Sequence, residues 1–264
     1  MVLMKKSEEL KTAIDIAKRA GEILMDNYGD ITVNYKKDGT IVTNADIESE
    51  RFIISVLSEK FPEFSILSEE SNTGKRNLED SEYLWVVDPL DGTTNYSIKN
   101  PFFDISIALT YKSKPIVGIV YYPFQDEMFY AESGKGAYLN DKNITVSDKD
   151  DIRESVHTFC HASDELSTLR MAEIWKRLKL LNPKVRQIGA GALELSYTAC
   201  GRVDSFMMIN INPWDVAAGT LLVREAGGMV TDFSGNEFDI THNSILASNG
   251  RLHKKLLDII NYNK

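Results

Sequence analysis

The run Leu84-Trp85-Val86-Val87 passes directly into Asp88-Pro89-Leu90-Asp91-Gly92-Thr93-Thr94-Asn95, and few folds accommodate that junction. Its β-branched and aromatic residues predict a strand buried on both faces, which puts Asp88 at the carboxyl end, where α/β sheets gather ligands. Pro89 has no N–H and biases Asp88 toward an extended conformation, so the ladder is expected to stop there and the chain to turn back. Asp91 then returns beside Asp88. Two carboxylates at a buried strand end repel unless a cation or a proton lies between them. Gly92 permits close backbone approach, and Thr93, Thr94 and Asn95 are residue types that open a helix, whose free N–H groups suit a phosphate. The segment reads as a place for metal and phosphate together.

The 264 residues, 43% of them hydrophobic, suffice for a sizeable core in one large domain or two closely packed halves. No apolar run is long enough for a membrane span and the N-terminus is too short for a signal core, so a soluble, cytoplasmic protein without a membrane partner is expected. Cys160 and Cys200 lack CxxC spacing and read as reduced thiols. A net charge of −9 argues against a nucleic-acid partner but leaves room for an anionic substrate held through metal ions.

Leu10, Ala13, Ile14, Ala17, Ala20 and Leu24 predict a helix over 7–28, and a second helix is expected from Asn44 to Phe61, stopped by Pro62. Between them, the polar loop from Tyr35 to Thr40, with Lys36 and Lys37, is expected to close over a ligand or contact phosphate. Strands are expected at Ser65–Ser68, Ile105–Tyr111, Ile116–Tyr122 and Met128–Tyr130, the middle pair forming a hairpin around 112–115. Beyond about residue 150 strands and helices alternate, as in an α/β half, with a helix from Asp215 to Ala226 stopped at Gly227-Gly228. The expected organisation is an N-terminal α+β half, 1–150, and a C-terminal α/β half, 151–264.

Three further acidic positions stand out: Glu69 with Glu70 after the Ile66-Leu67 strand, Asp46 at capping-box spacing from Thr43, and Asp215, which alone would pass for an N-cap. Together with the 84–95 segment they resemble the inositol monophosphatase family. The resemblance is carried by Trp85 to Asn95, Ser68-Glu69-Glu70-Ser71, Val42-Thr43-Asn44-Ala45-Asp46, and Trp214 to Gly219 followed by Glu225-Ala226-Gly227-Gly228, in the family's order across nearly the whole chain. It implies a mixed α/β fold, a layered αβαβα sandwich, usually dimeric, that hydrolyses a small phosphorylated substrate with two or three Mg²⁺ ions. Sensitivity to lithium is implied as well.

Carried over by that resemblance, Glu69, Asp88 and the Leu90 carbonyl would hold one Mg²⁺, and Asp88, Asp91 and Asp215 a second. Oxygen donors of this kind suit Mg²⁺, and a pair of such ions can activate water and stabilise a leaving alkoxide. Thr93, oriented by Asp46, would pass a proton from the attacking water, which Glu69 would also contact; this requires an Asp46–Thr93 hydrogen bond. Backbone N–H groups of Gly92 and Thr93 would receive the phosphate.

On the alcohol side the resemblance implies a substrate wall at Gly189-Ala190-Gly191-Ala192, with Gly191 where alanine is usual, and a contact from Ser163 in the loop of His161 and Asp164. It also implies a glutamate six residues before Trp214, where this chain has Met208, which cannot accept a hydroxyl hydrogen bond of comparable strength. A phosphorylated polyol, nominally inositol monophosphate, is therefore the first expectation. Fructose-1,6-bisphosphate, other sugar phosphates, histidinol phosphate or a nucleotide phosphate are alternatives, as is a non-catalytic regulatory protein on the same scaffold.

Overall fold

Ser7 starts the first helix by accepting the Leu10 N–H on its hydroxyl at 3.2 Å, and Leu10, Ala13, Ala17, Ala20 and Leu24 bury one face of that helix, α1 (Glu8–Asn27). The computed structural model describes residues 6–36, 39–71, 81–160 and 164–262. A small antiparallel ribbon follows, β1 (Val33–Tyr35) and β2 (Ile41–Thr43), and leads into α2 (Asn44–Lys60) through a capping box between Thr43 and Asp46.

One sheet of seven strands comes next: β3 (Ser65–Ser68), β4 (Tyr83–Asp91), then, after the single turn of α3 (Thr93–Ser97), β5 (Asp104–Tyr111), β6 (Lys114–Tyr122), β7 (Glu127–Glu132), β8 (Ala137–Leu139) and β9 (Lys142–Ile144). The strands lie in that order, β3 parallel to β4 and the rest antiparallel. β4 is buried on both faces as its composition predicts: Trp85 and Val87 pack with α1 and α2, while Leu84 and Val86 point into the opposite cluster. Each fully buried side chain of this size contributes about 1.5–3 kcal/mol.

The chain from 145 to 156 has neither helix nor strand, and a second sheet follows. Its elements are β10 (His157–Phe159), α4 (Glu165–Leu181), β11 (Val185–Arg186), α5 (Gly191–Ala199), β12 (Ser205–Ile209), α6 (Pro213–Glu225), β13 (Met229–Thr231), β14 (Ser244–Ser248) and α7 (His253–Ile260). The five strands lie in the order β11-β10-β12-β14-β13. α1 and α2 cover one face of the larger sheet, α5 and α6 fill the space between the sheets, and α4 and α7 cover the outer face of the smaller one. This is the layered αβαβα sandwich. No helix among the described residues is long and apolar enough to cross a membrane.

Two sequence expectations are corrected. Pro89 does not stop β4; the ladder shifts register between Asp88 and Asp91 and resumes with Asp91 opposite Asp104. A bulge absorbs the proline's missing donor, and the kink re-aims the neighbouring side chains. The β5–β6 hairpin also turns earlier, on Lys112 and Ser113 at φ 48° and 63°, so Pro115 lies inside β6 opposite Thr110. Left-handed residues at both turn positions match the right-handed twist of the strands.

Helix α6 sits close to the larger sheet because its residues are small. A Cβ on Gly118 of β6 would come within 2.8 Å of the Ala218 carbonyl oxygen, and one on Gly219 within 2.4 Å of the Leu195 Cβ of α5. The small-residue run therefore packs against β6 and α5 as well as β4. Gly118→Ala forces a methyl group against the Ala218 backbone and is expected to cost about 1–3 kcal/mol, lowering Tm by about 2–4 °C per kcal/mol. An unchanged melting curve would contradict the close approach of α6.

Candidate active site

Acidic side chains from three separate parts of the chain line one cavity of about 470 Å³: Glu69 after β3, Asp88 and Asp91 at the β4 bulge, and Asp215 in the first turn of α6. Leu90, Gly92, Thr93 and Gly189 line it too. Asp88, 2% exposed, accepts the Leu90 N–H at 3.1 Å. Burial holds its carboxyl well above the usual range, and Glu69, Asp91 and Asp215 push it the same way. Asp91 accepts the Ala192 N–H at 2.7 Å, yet burial takes it up to about 6. Asp215 is the third helical residue, not the N-cap; Asn212 caps α6, and its N–H donates to Asp215 Oδ2 at 2.8 Å. Burial, followed by the charges of Asp91 and Glu69, pushes Asp215 up to about 8.

The expected Asp46–Thr93 hydrogen bond is present: Thr93 Oγ1 donates to Asp46 Oδ1 at 3.1 Å, with the Leu90 carbonyl also at 3.1 Å. Asp46 is fully buried and accepts the Thr43 N–H at 2.8 Å on its other oxygen, so the capping box also fixes its rotamer. Burial raises this carboxyl to about 6. Gly92 stands at φ +86°, and a Cβ there would meet the Phe102 carbonyl oxygen at 2.8 Å. Only glycine satisfies both conditions at this position.

Gly189, at φ +85°, is held from two sides. Its N–H and that of Ile188 donate to Glu194 Oε1 at 2.9 and 3.0 Å, and the Asn95 amide donates to the Ile188 and Gly189 carbonyls at 2.9 and 3.3 Å. Next to the main cavity, one of about 200 Å³ is lined by Cys160, Gly191, Met208, Asn210 and Asn212 together with Asp91 and Asp215. A Cβ on Gly191 would find its nearest neighbours at 3.7 Å, so alanine would fit there and glycine enlarges the space by one methyl group. Lys37, His161 and Ser163 lie outside the described residues, and the sequence expectations for them are not placed.

The Lys36 side chain reaches the acids that follow β3. Its ammonium sits 3.0 Å from Glu69 Oε1 and 2.7 Å from Glu70 Oε1. Sequence reasoning passed over Asn95, Glu194 and Asp104. Asn95 lay within the quoted motif, but besides the nearby Phe102 carbonyl it holds the Ile188 and Gly189 carbonyls, 93 and 94 residues away; Asp104, fully buried opposite Asp91, sits in a strand and carries no sequence signal.

Among the described residues no group of three or more His, Cys, Asp or Glu side chains stands ready-made to hold a metal. The acids are engaged by the protein's own donors: Lys36 on Glu69, Ala192 on Asp91, Asn212 on Asp215. The donor set nevertheless fits a hard divalent ion, being all oxygen and crowded enough that burial and mutual repulsion raise Asp88, Asp91 and Asp215 together.

The same arrangement of segments has known counterparts. The sequence model of the inositol monophosphatase family matches residues 5–263. The Nus factor SuhB of Pasteurella multocida is 38% identical over 256 residues, 95% of each chain. The fructose-1,6-bisphosphatase/inositol-1-monophosphatase of Thermotoga maritima is 35% identical over 256 residues, 96% of each. The crystal structure of the extragenic suppressor protein suhB from Bartonella henselae superposes with a TM-score of 0.91 at 34% identity, covering 98% of this chain and all of that one. With sequence and fold in agreement from end to end, the chain belongs to the inositol monophosphatase family and to its phosphatase class of hydrolases.

Proposed function

We propose that the protein is a Mg²⁺-dependent phosphomonoesterase acting on a small phosphorylated polyol, with inositol monophosphate as the reference substrate. The observation that carries this reading is the convergence of Glu69, Asp88, Asp91, Asp215 and the Leu90 carbonyl on one cavity beside the Thr93–Asp46 pair. Glu69, Asp88 and Leu90 would hold one ion, and Asp88, Asp91 and Asp215 another. Bound there, Mg²⁺ supplies positive charge to the phosphoryl oxygens and lowers the pKa of water.

The chain's own contribution is positioning and proton handling. Asp46 accepts a hydrogen bond from the Thr93 hydroxyl, so a proton that the threonine oxygen takes from a water molecule on the cavity side is matched by the hydroxyl's own proton passing to Asp46. Gly92, freed from any Cβ, lets the backbone N–H groups of Gly92 and Thr93 approach a phosphate oxygen. Asn95 and Glu194 fix the 188–189 turn as the opposite wall.

Met208 and the cavity beside it favour a second reading within the class, a sugar bisphosphate or another ester whose alcohol needs no carboxylate, and the name of the Thermotoga relative pairs a fructose-1,6-bisphosphatase with an inositol-1-monophosphatase activity. Met208→Glu restores a charged acceptor for hydroxyl groups and is expected to raise kcat/KM for inositol monophosphate about 10- to 100-fold relative to fructose-1,6-bisphosphate. An unchanged ratio would place the polyol elsewhere.

The test of the whole reading is phosphate release from inositol monophosphate, fructose-1,6-bisphosphate, histidinol phosphate and a nucleoside monophosphate, each with Mg²⁺, Mn²⁺ or EDTA. Release that needs the divalent ion and is restored after chelation supports it. Absence of release from every ester would favour a non-catalytic regulatory role on this scaffold.

A further inference from the structure

Helix α2 presents three buried polar residues at positions i, i+3 and i+4, and each holds a different segment of the candidate site. Asp46 takes the Thr93 hydroxyl. Ser49 donates to the Pro89 carbonyl at 2.9 Å, inside the bulge between Asp88 and Asp91. Glu50, 7% exposed, accepts on Oε1 the N–H groups of Glu70 and Ser71, at 3.1 and 2.9 Å, and the Ser68 hydroxyl.

The Glu50 bonds all go to the turn that carries Glu69, on both sides of that residue. Among the described residues Glu50 has no ion-pair partner. A carboxylate is a costly group to bury, and a leucine there would extend the apolar face of Ile53 and Leu57 without that cost. What an apolar residue would not supply is an acceptor for three donors that otherwise leave the 68–71 turn free to choose another path. The turn is pinned in addition by the Glu69 N–H on the Val87 carbonyl at 3.2 Å, which ties it to β4 just before Asp88.

We propose that Glu50 is a positioning residue for the metal ligand Glu69: by closing the 68–71 turn it fixes where the Glu69 carboxylate stands relative to Asp88. The proposal rests on the reading of Glu69 and Asp88 as ligands, and partners of this kind behind a ligand are worth about 10- to 100-fold in metal affinity.

The test measures Mn²⁺ binding to the full chain, stripped with chelator and free of substrate, by electron paramagnetic resonance. Glu50→Leu is expected to weaken Mn²⁺ binding about 10- to 100-fold. Glu50→Gln, whose amide oxygen still accepts, should lose less. Both variants should melt cooperatively, and turnover should recover near wild type once Mn²⁺ saturates, which a general loss of structure would not permit. A folded Glu50→Leu chain with wild-type Mn²⁺ affinity overturns the proposal. Should that variant fail to fold, Glu50→Gln decides, weaker binding supporting the proposal and unchanged binding overturning it. Wild-type Mn²⁺ binding that survives Asp88→Asn, or is absent, overturns the metal reading itself and this inference with it.

Discussion

Asp88→Asn is expected to lower kcat/KM by at least about 10³-fold while leaving the fold intact, and in the metal-free protein to raise Tm. The two effects share one cause. Asp88 is almost fully buried, and Glu69, Asp91 and Asp215 all disfavour its charge, so the folded chain carries a carboxylate it would be more stable without. An amide of the same shape removes that repulsion and can still accept the Leu90 N–H. It offers only a neutral oxygen to two cations, however, and a loss of about 4 kcal/mol in transition-state stabilisation corresponds to about 10³ in rate. Such an exchange of stability for function is characteristic of strained sites. Steady-state phosphate release and a thermal melt in EDTA check both halves; wild-type turnover in the variant would refute the bridging assignment, and a lower metal-free Tm would refute the repulsion.

The second large effect is the pH dependence of stability without metal. Burial raises Asp215 to about 8 and Asp91 to about 6, above the values of an unfolded chain, so around neutrality the folded protein holds protons that the unfolded chain has released. Stability therefore falls as pH rises through these values. Buried His157 and His253 are pushed down by burial and act in the opposite direction, but only below their ordinary range near 6.5. The histidine contribution fades about one pH unit above that value, so across the window from pH 6.5 to 8.5 the carboxylates outweigh it and Tm in EDTA should fall, most cleanly above about pH 7.5.

Bound Mg²⁺ should reverse the trend, because its ligands must be ionised and each proton displaced is already gone at the higher pH. At about 100-fold over its dissociation constant the ion adds about 2.7 kcal/mol, or about 5–10 °C in Tm. That gain should be present at pH 8.5 and less than half as large at pH 6.5. A metal-free Tm that is flat across the window, or a Mg²⁺ gain independent of pH, would show that these acids do not share the site's charge.

What could be read from the sequence is what local chemistry determines. Trp85, Val86 and Val87 announce a buried strand wherever they occur, and Asp88, Asp91, Gly92 and Thr93 follow it closely enough for their convergence to be foreseen. The Asp46–Thr93 bond was legible only because two motifs matched a family; nothing in the spacing of residues 46 and 93 shows it. Pro89 was misread because its missing donor excludes it from a regular ladder but not from a bulge. Glu50 and Asn95 stayed hidden for a different reason: each is an ordinary polar residue in its own segment and acquires its role from partners brought by another. The three-residue strands β1, β2, β8 and β9 were missed because so few residues carry little hydrophobic pattern, and tertiary pairing decides their conformation.

The central claim is that these carboxylates form one divalent-cation centre facing phosphate. Anomalous scattering from crystals grown with Mn²⁺ and inorganic phosphate tests it most directly. The account predicts manganese peaks at Glu69, Asp88 and the Leu90 carbonyl and at Asp88, Asp91 and Asp215, with phosphate against the Gly92 and Thr93 N–H groups. Manganese bound elsewhere, with Lys36 still paired to Glu69 and no peak beside Asp88, would contradict it.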